Sequence, residues 1–190
     1  MDNSDGHCPL IIAVGRGESD AVMSLLDGGA DIGHMNDYGY NALSSALWSS
    51  HLELARQLVA RGALVSIDDA AALGDVDRLR REWQPMPGIE DTIGAFLCAC
   101  RCGQTEVVEW MLEQGIPVDL HPSGVEWGGI GCPGLHHAAT HGHVDTVRLL
   151  LAHGADPSLV DDVFGTTALF WADMDGRREV VDVLRAAGSR

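Results

Sequence analysis

The sequence predicts an all-α fold, a solenoid of stacked helix pairs joined by short β-turn fingers. Three observations carry this. Gly134 to Asp156, GLHHAATHGHVDTVRLLLAHGAD, reads as two short helices back to back. An alanine followed four residues later by a helix stop recurs along the chain. Apolar residues at helical spacing follow each stop.

In the 134–156 unit, Leu135, Ala138 and Ala139 make a small apolar face on the first helix. Gly142 ends it, since glycine adopts positive φ at no steric cost. Val144, Val147, Leu150 and Leu151 give the second helix a 3.6-residue face, and Gly154 ends that helix in turn. Helices this short do not bury their apolar faces alone, so the unit needs neighbours. The alanine falls at 13, 46, 70, 99, 138 and 172, and the stops at Gly17, Ser50, Gly74, Gly103, Gly142 and Gly176. The following faces are Val22-Leu25-Leu26, Ala55-Leu58-Val59, Leu79-Trp83, Val108-Met111-Leu112, Val147-Leu150-Leu151 and Val181-Leu184. Second helices close at Gly29-Ala30, Gly62-Ala63, Gly115-Ile116 and Gly154-Ala155.

The run Leu-His-x-Ala-Ala-x-x-Gly-His, then Val-x-x-Leu-Leu and Gly-Ala-Asp, resembles an ankyrin repeat. The Thr-Pro that usually opens such a repeat is Pro133-Gly134 here. Six repeats are expected in one domain over 1–190, at about 3–35, 36–65, 66–86, 87–118, 119–158 and 159–190. The first two signature alanines are 33 apart, the usual period. The next intervals are 24, 29, 39 and 34. Helices cannot lose nine residues, so repeat three is expected to lack its finger. Repeat five gains a long one, Asp119 to Cys132. In repeat three, Asp68 or Asp69 is placed to cap the first helix, and Pro85-Met86-Pro87-Gly88 to close the second as a rigid turn. Repeat four is expected to carry Glu90 and Asp91 in its finger.

Composition narrows the function. The chain has 190 residues and a formal net charge of -16. Its 12 basic residues are all arginine. The acidic balance argues against nonspecific nucleic-acid or anionic-membrane binding. Without lysine there is no Walker phosphate loop, Schiff base or pyridoxal-phosphate site. An arginine-only, Ala- and Gly-rich composition points to a GC-rich, bacterial genome. No apolar stretch is long enough to span a bilayer. The start, MDNSDGHC, lacks the features of a signal peptide. Cys8, Cys98, Cys100, Cys102 and Cys132 are an odd number, read as reduced thiols in a cytoplasmic protein.

The ankyrin resemblance implies a concave binding surface made of finger tips and the two positions before each first-helix stop. Carried onto this sequence, it takes in Tyr38, Tyr40, Trp48, Arg101, Trp127, Thr140, His141 and Phe164. Trp, Tyr and Arg are enriched at interaction hot spots. The finger-tip positions also include Glu90, Asp91, Ile93, Ile130 and Cys132. The reading is an interaction module for a protein or peptide partner, without cofactor or catalysis. The alternative is a small-molecule binder or enzyme with a pocket formed by the irregular fingers and the concave face of repeats two to six, where His141 is acid/base and Arg101 and Asp175 are charge partners.

Other motifs are weighed against the repeat. His137 and His141 share a helix face as a metal pair would, with Cys132 or His121 as further ligands. His136 and His143, however, occupy positions where ankyrin repeats carry structural histidines. No metal site is assigned, since structural zinc wants four ligands. Cys98, Cys100 and Cys102 read as small apolar filler. Gly129 to Gly134 matches G-x-G-x-x-G but lacks the preceding strand a dinucleotide fingerprint needs. Repeat six carries Arg177-Arg178 and Arg185, the polar outer face of a terminal cap.

Overall fold

The computed structural model describes residues 8–37, 39–83, 90–120 and 131–188. Twelve helices lie among them, in a chain that clusters into two compact units, one up to Asp69 and one from Ala70 onward. The first unit holds α1 (Pro9–Gly15), α2 (Ser19–Asp27), α3 (Ala42–Trp48) and α4 (Leu52–Ala60). The boundary falls inside α5 (Ile67–Leu73). The second unit continues with α6 (Val76–Glu82), α7 (Glu90–Arg101), α8 (Thr105–Glu113), α9 (Gly134–His141), α10 (Val144–Ala152), α11 (Ala168–Met174) and α12 (Arg178–Ala186). The fold is all-α, of helix pairs packed side by side. In the first unit α1 packs on α2 and α3, and α3 on α4. In the second, α9 lies between α7 and α11, while α10 packs on α8, α9 and α12.

The repeat register follows from one local device. All six signature alanines are buried. Each accepts a backbone N–H from the residue just after the stop, at 2.8–3.0 Å. This six-to-one bond closes a helix only if the stop residue is left-handed. Gly103 has φ 68° and Gly142 φ 79°. Ser50 takes φ 59° at the one non-glycine stop. There its buried hydroxyl finds no partner among the described residues.

A second device ties one repeat to the next. The last carbonyls of a helix have no partner inside it. The side chain just past a stop supplies a donor to the repeat before it. His51 Nε2 lies 3.3 Å from the Gly15 carbonyl in the first unit. In the second, Gln104 Nε2 donates to Ala72 O at 2.8 Å, His143 Nε2 to Arg101 O at 2.8 Å, and Arg177 Nε to Thr140 O at 2.9 Å. Each donor lies directly over the previous repeat's stop glycine. Asp75, a carboxylate, has no N–H to donate in this role and instead caps its own helix by accepting from Arg78 N–H at 2.9 Å.

The irregular repeats differ from expectation in detail. Residues 28–41 separate α2 from α3, but only 61–66 separate α4 from α5. The missing residues therefore come out of the finger, as the helix lengths require. The cap of α5 is Ser66, not an aspartate. Ser66 Oγ accepts from Asp69 N–H at 3.1 Å, and the Asp69 carboxylate accepts from Ser66 N–H at 2.9 Å. Asp69 completes a capping box instead of starting the helix. Glu90, Asp91 and Ile93 are not in a finger. α7 begins at Glu90 because Ile93, Phe96, Leu97 and Cys100 are buried at helical spacing and extend the helix toward its N-terminus. The Pro85–Gly88 turn lies outside the described residues. Gly134 replaces a bulkier opening residue for a steric reason: a Cβ there would stand 2.7 Å from Cys100 Sγ and 3.1 Å from Phe96.

Finger six is organised by Asp161, which is 1% exposed. Val160 and Thr167 form an antiparallel bridge. Inside it the Asp161 carboxylate accepts from the N–H groups of Val163, Phe164 and Thr166, the Thr166 hydroxyl, and Trp171 Nε1. Burial alone would raise its pKa. The Thr166 hydroxyl, the Phe164 and Thr166 amides and the Trp171 indole outweigh it and hold the carboxyl well below the usual range.

Two outcomes are expected. Gly103 and Gly176 share φ 68°, but only Gly103 has the next repeat's side chain, His143, against it. Gly176→Ala should cost about 1 kcal/mol, the left-handed strain alone. Gly103→Ala should cost clearly more, read from urea midpoints; equal costs would mean that the His143 bridge contributes nothing. Asp161→Ala should cost about 3 kcal/mol or more at pH 7, since it strands several donors. Because the folded pKa is depressed, this stability is present above the unfolded value of about 3.9 and is lost as pH falls below it. The gap between wild type and variant should therefore narrow below about pH 4.

Candidate functional site

The expected site residues fall into separate places. In the first unit, Trp48 ends α3 with 37% of its surface exposed. Its ring centroid lies 6.3 Å from that of Tyr40 at 44°. Tyr40 is held at the finger base, where its N–H donates to Asn36 Oδ1 at 2.9 Å and its carbonyl accepts from Asn36 N–H. The pair is a tilted aromatic contact with one open side. Tyr38 and Trp127 lie outside the described residues, as do His121 and Ile130.

In the second unit, the ends of α7 and α9 bring Arg101, Cys132, His137 and His141 together. His137 Nε2 lies 3.4 Å from Cys132 Sγ. His141 Nδ1 donates to the His137 carbonyl one turn back at 3.0 Å, which leaves Nε2 as the acceptor. The His141 ring is parallel to that of His143, with centroids 6.1 Å apart. Thr140 turns its hydroxyl inward to His136 O at 2.8 Å. His136 and His143 are structural: His136 is 2% exposed with Nε2 on Thr166 O at 3.0 Å, and His143 bridges to Arg101 O.

Electrostatics make this cluster neutral around a cation. Burial, then the Arg101 guanidinium, lowers His137 to about 3 and His141 to about 4. Burial lowers His143 as well. Cys132 is pushed up to about 12, chiefly by burial and then by the Asp161 charge. At neutral pH the Cys132–His137 pair is therefore thiol and imidazole, not an ion pair, and the thiol is not activated. The charges acting on His141 are Arg101, His143 and Arg177. Asp175 stands exposed at the C-cap of α11. Cys132 is 6% exposed and Ile93 7%, so neither is a finger tip. Among the described residues, no three His, Cys, Asp or Glu side chains are placed to hold a metal ion. Two open cavities, of about 680 and 460 Å³, lie in the first unit. Neither is lined by Trp48.

Phe164 is 63% exposed at the tip of finger six, edge-on to Trp171 at 5.7 Å. Arg177 also borders this cluster, a role that its sequence context does not announce. It looks like a solvated cap charge, yet it donates to Thr140 O and lies close enough to lower His141 and His143. The available signal was its position just past a stop, shared with His51, Gln104 and His143.

The histidines set a pH dependence. Folding lowers the pKa of His137 and His141 below the unfolded value of about 6.5. Their stabilising neutral forms are fully present above that value and are lost as pH falls toward 4 and 3. The melting temperature should fall from pH 6.5 to 4, and His137→Leu should flatten that slope; an unchanged slope would place the proton uptake elsewhere.

Comparison with known proteins supplies the family. The model for "Ankyrin repeats (3 copies)" matches residues 1–69 and 96–190. The chain is 30% identical over 179 residues to "Probable E3 ubiquitin-protein ligase XBOS33" of Oryza sativa subsp. japonica, covering 85% of this chain and 34% of that protein. It is 31% identical over 158 residues to potassium channel AKT2/3 of Arabidopsis thaliana, covering 82% and 16%. It is 28% identical over 185 residues to the human transient receptor potential cation channel subfamily A member 1, covering 87% and 16%. The chain thus spans about a third or less of the length of these relatives. Ankyrin repeats are in general protein–protein interaction modules. With six left-handed stops closed onto six buried alanines, and a family model matching most of its length, this chain belongs to the ankyrin-repeat family.

Proposed function

We propose that this chain is an interaction module that binds a protein or peptide through the concave side of its repeats. The contacts assigned are Tyr40 and Trp48 in the first unit, and Arg101, Thr140, His141 and Phe164 in the second. Tyr38 and Trp127 join them on sequence grounds. The observation that carries this reading is the contrast among relatives. A ubiquitin-protein ligase and two ion channels, by their names, share this region over a minor part of their length. A segment common to such different whole-protein activities is best understood as a recognition module. The site chemistry agrees. His141, lowered to about 4, is a weak base and at pH 7 has no proton beyond its neutral form to give. A cationic Arg101 in a chain of net charge -16 is suited instead to a carboxylate or phosphate of the partner.

The cytoplasmic setting is part of the same proposal. All five cysteines are free thiols, which suits a reducing compartment. No helix among the described residues is long and apolar enough to cross a membrane.

The test is affinity purification with quantitative mass spectrometry, followed by titration of the recovered partner. Trp48→Ala and Arg101→Ala should each weaken binding by about thirtyfold or more, the loss typical of a hot spot. The bridge from His143 uses the Arg101 carbonyl, so Arg101→Ala leaves it in place. Arg178→Ala, on the exposed start of α12, should change affinity by less than about threefold. The opposite pattern would move the binding surface to the last repeat and reject this reading.

A further inference from the structure

The aromatic pair of the first unit is held by the backbone around it. Finger two is closed by Gly39 N–H on Asn36 O and by Asn36 N–H on Tyr40 O, both at 2.9 Å. With Tyr40 N–H on Asn36 Oδ1, these bonds set the base from which the Tyr40 ring projects. The next residue, Asn41, starts α3 through a capping box with Ser44, at 2.9 Å in each direction. Trp48 ends that helix. The two rings are thus positioned from opposite ends of α3. Their tilt of 44° keeps them from closing face to face, and Trp48 stays 37% exposed. This opening lies inside the repeat array, with α1 and α2 before it in sequence and α5 after it. Residues 61–66, between α4 and α5, are too few to build a finger beside finger two.

The charges of the first unit are one-sided. Residues 8–69 contain three arginines, and all are matched: Arg16 with Glu18 at 3.8 Å, Arg56 with Glu53 at 3.7 Å and Arg61 with Asp27 at 2.7 Å. Arg16 stands at the C-cap of α1, the helix that packs against α3. Asp37 is exposed in the same finger as Tyr40, and Asp20 and Asp31 are exposed as well. None of these three carboxylates has an ion-pair partner among the described residues.

We propose that Tyr40 and Trp48 seat a cationic side chain of the protein or peptide partner. This rests on the reading that both residues face a partner, and it names the chemistry of that contact. Two arguments choose a cation over an apolar side chain. Tryptophan offers the best aromatic face for a cation, and with centroids 6.3 Å apart one charge can lie within about 6 Å of both rings. The surrounding charge agrees. A cation gains from unmatched carboxylates, an apolar residue gains nothing from them, and an anion is repelled. Arg101 in the second unit asks for the opposite charge, so the two contacts differ in kind.

The test is an NMR titration of the full chain with Ac-Gly-Arg-Gly-NH2 as the probe, at about 150 mM salt to screen long-range attraction. The Trp48 indole and the Gly39 amide report on the site. Two comparator tripeptides replace arginine by citrulline, which keeps the shape without the charge, or by norleucine, which keeps only an apolar stem. The arginine probe should shift both signals saturably. It should bind at least about threefold more tightly than either comparator, the size of an exposed cation–π contact. Trp48→Leu and Tyr40→Leu leave the net charge unchanged and should each weaken it about threefold or more at the Gly39 amide. Circular dichroism verifies that each variant folds. Equal binding of citrulline or norleucine would make the site blind to charge and overturn the proposal. Arginine binding unchanged in either leucine variant would reduce it to bulk charge, and no shift at either reporter would leave no site; both overturn it as well. The interaction-module reading fails separately, if Trp48→Ala leaves the affinity of the recovered partner unchanged while the arginine probe still binds here.

Discussion

The left-handed stop at the end of each first helix is the constraint on which the rest depends. It serves two bonds at once. Inside the repeat it lets the following N–H turn back onto the signature alanine's carbonyl, as His143 N–H does on Ala138 O at 2.9 Å. Between repeats it makes a seat without a Cβ, over which the next repeat's side chain passes to reach an orphan carbonyl. His143 over Gly103 to Arg101 O shows both requirements in one place. A helix pair too short to stand alone thereby gains a polar fastening in addition to its apolar burial. The fastening tolerates imidazole, amide or guanidinium, because all three present an N–H at similar reach.

That tolerance gives the candidate site its character. Arg177 and His143 are fastening residues by position, yet their rings and charges border His141. The histidine cluster is thus kept neutral by burial and by neighbouring guanidinium groups, inside a chain with a strong negative balance. A metal site would need convergent ligands, but two of the four histidines point their nitrogens at backbone carbonyls of other repeats. The recognition role proposed for this surface draws on its local cation rather than on acid/base chemistry.

Irregular repeats are accommodated by replacing one local solution with another. Where the finger before α5 is shortened, a Ser66–Asp69 capping box starts the helix directly. Repeat four absorbs its supposed finger into a longer α7, whose Phe96 and Cys100 then press against α9 and require Gly134 there. In finger six, Asp161 gathers the amide donors of a tight loop that has only one β-bridge to hold it. Each is a backbone-satisfaction problem solved within a few residues.

Local and periodic features could be read from the amino-acid chain alone. The stops, the buried alanines, the second-helix faces and the missing finger of repeat three were all legible, because positive φ and 3.6-residue periodicity are properties of short segments. The structural roles of His136 and His143 were legible from their place in the repeat. Features that depend on neighbours about 30 residues away emerged only in the folded molecule. It assigned Arg177 to Thr140. It buried Ile93 and Cys132. Those outcomes depend on which side chain of the adjacent repeat occupies the facing position, and no single repeat contains that information.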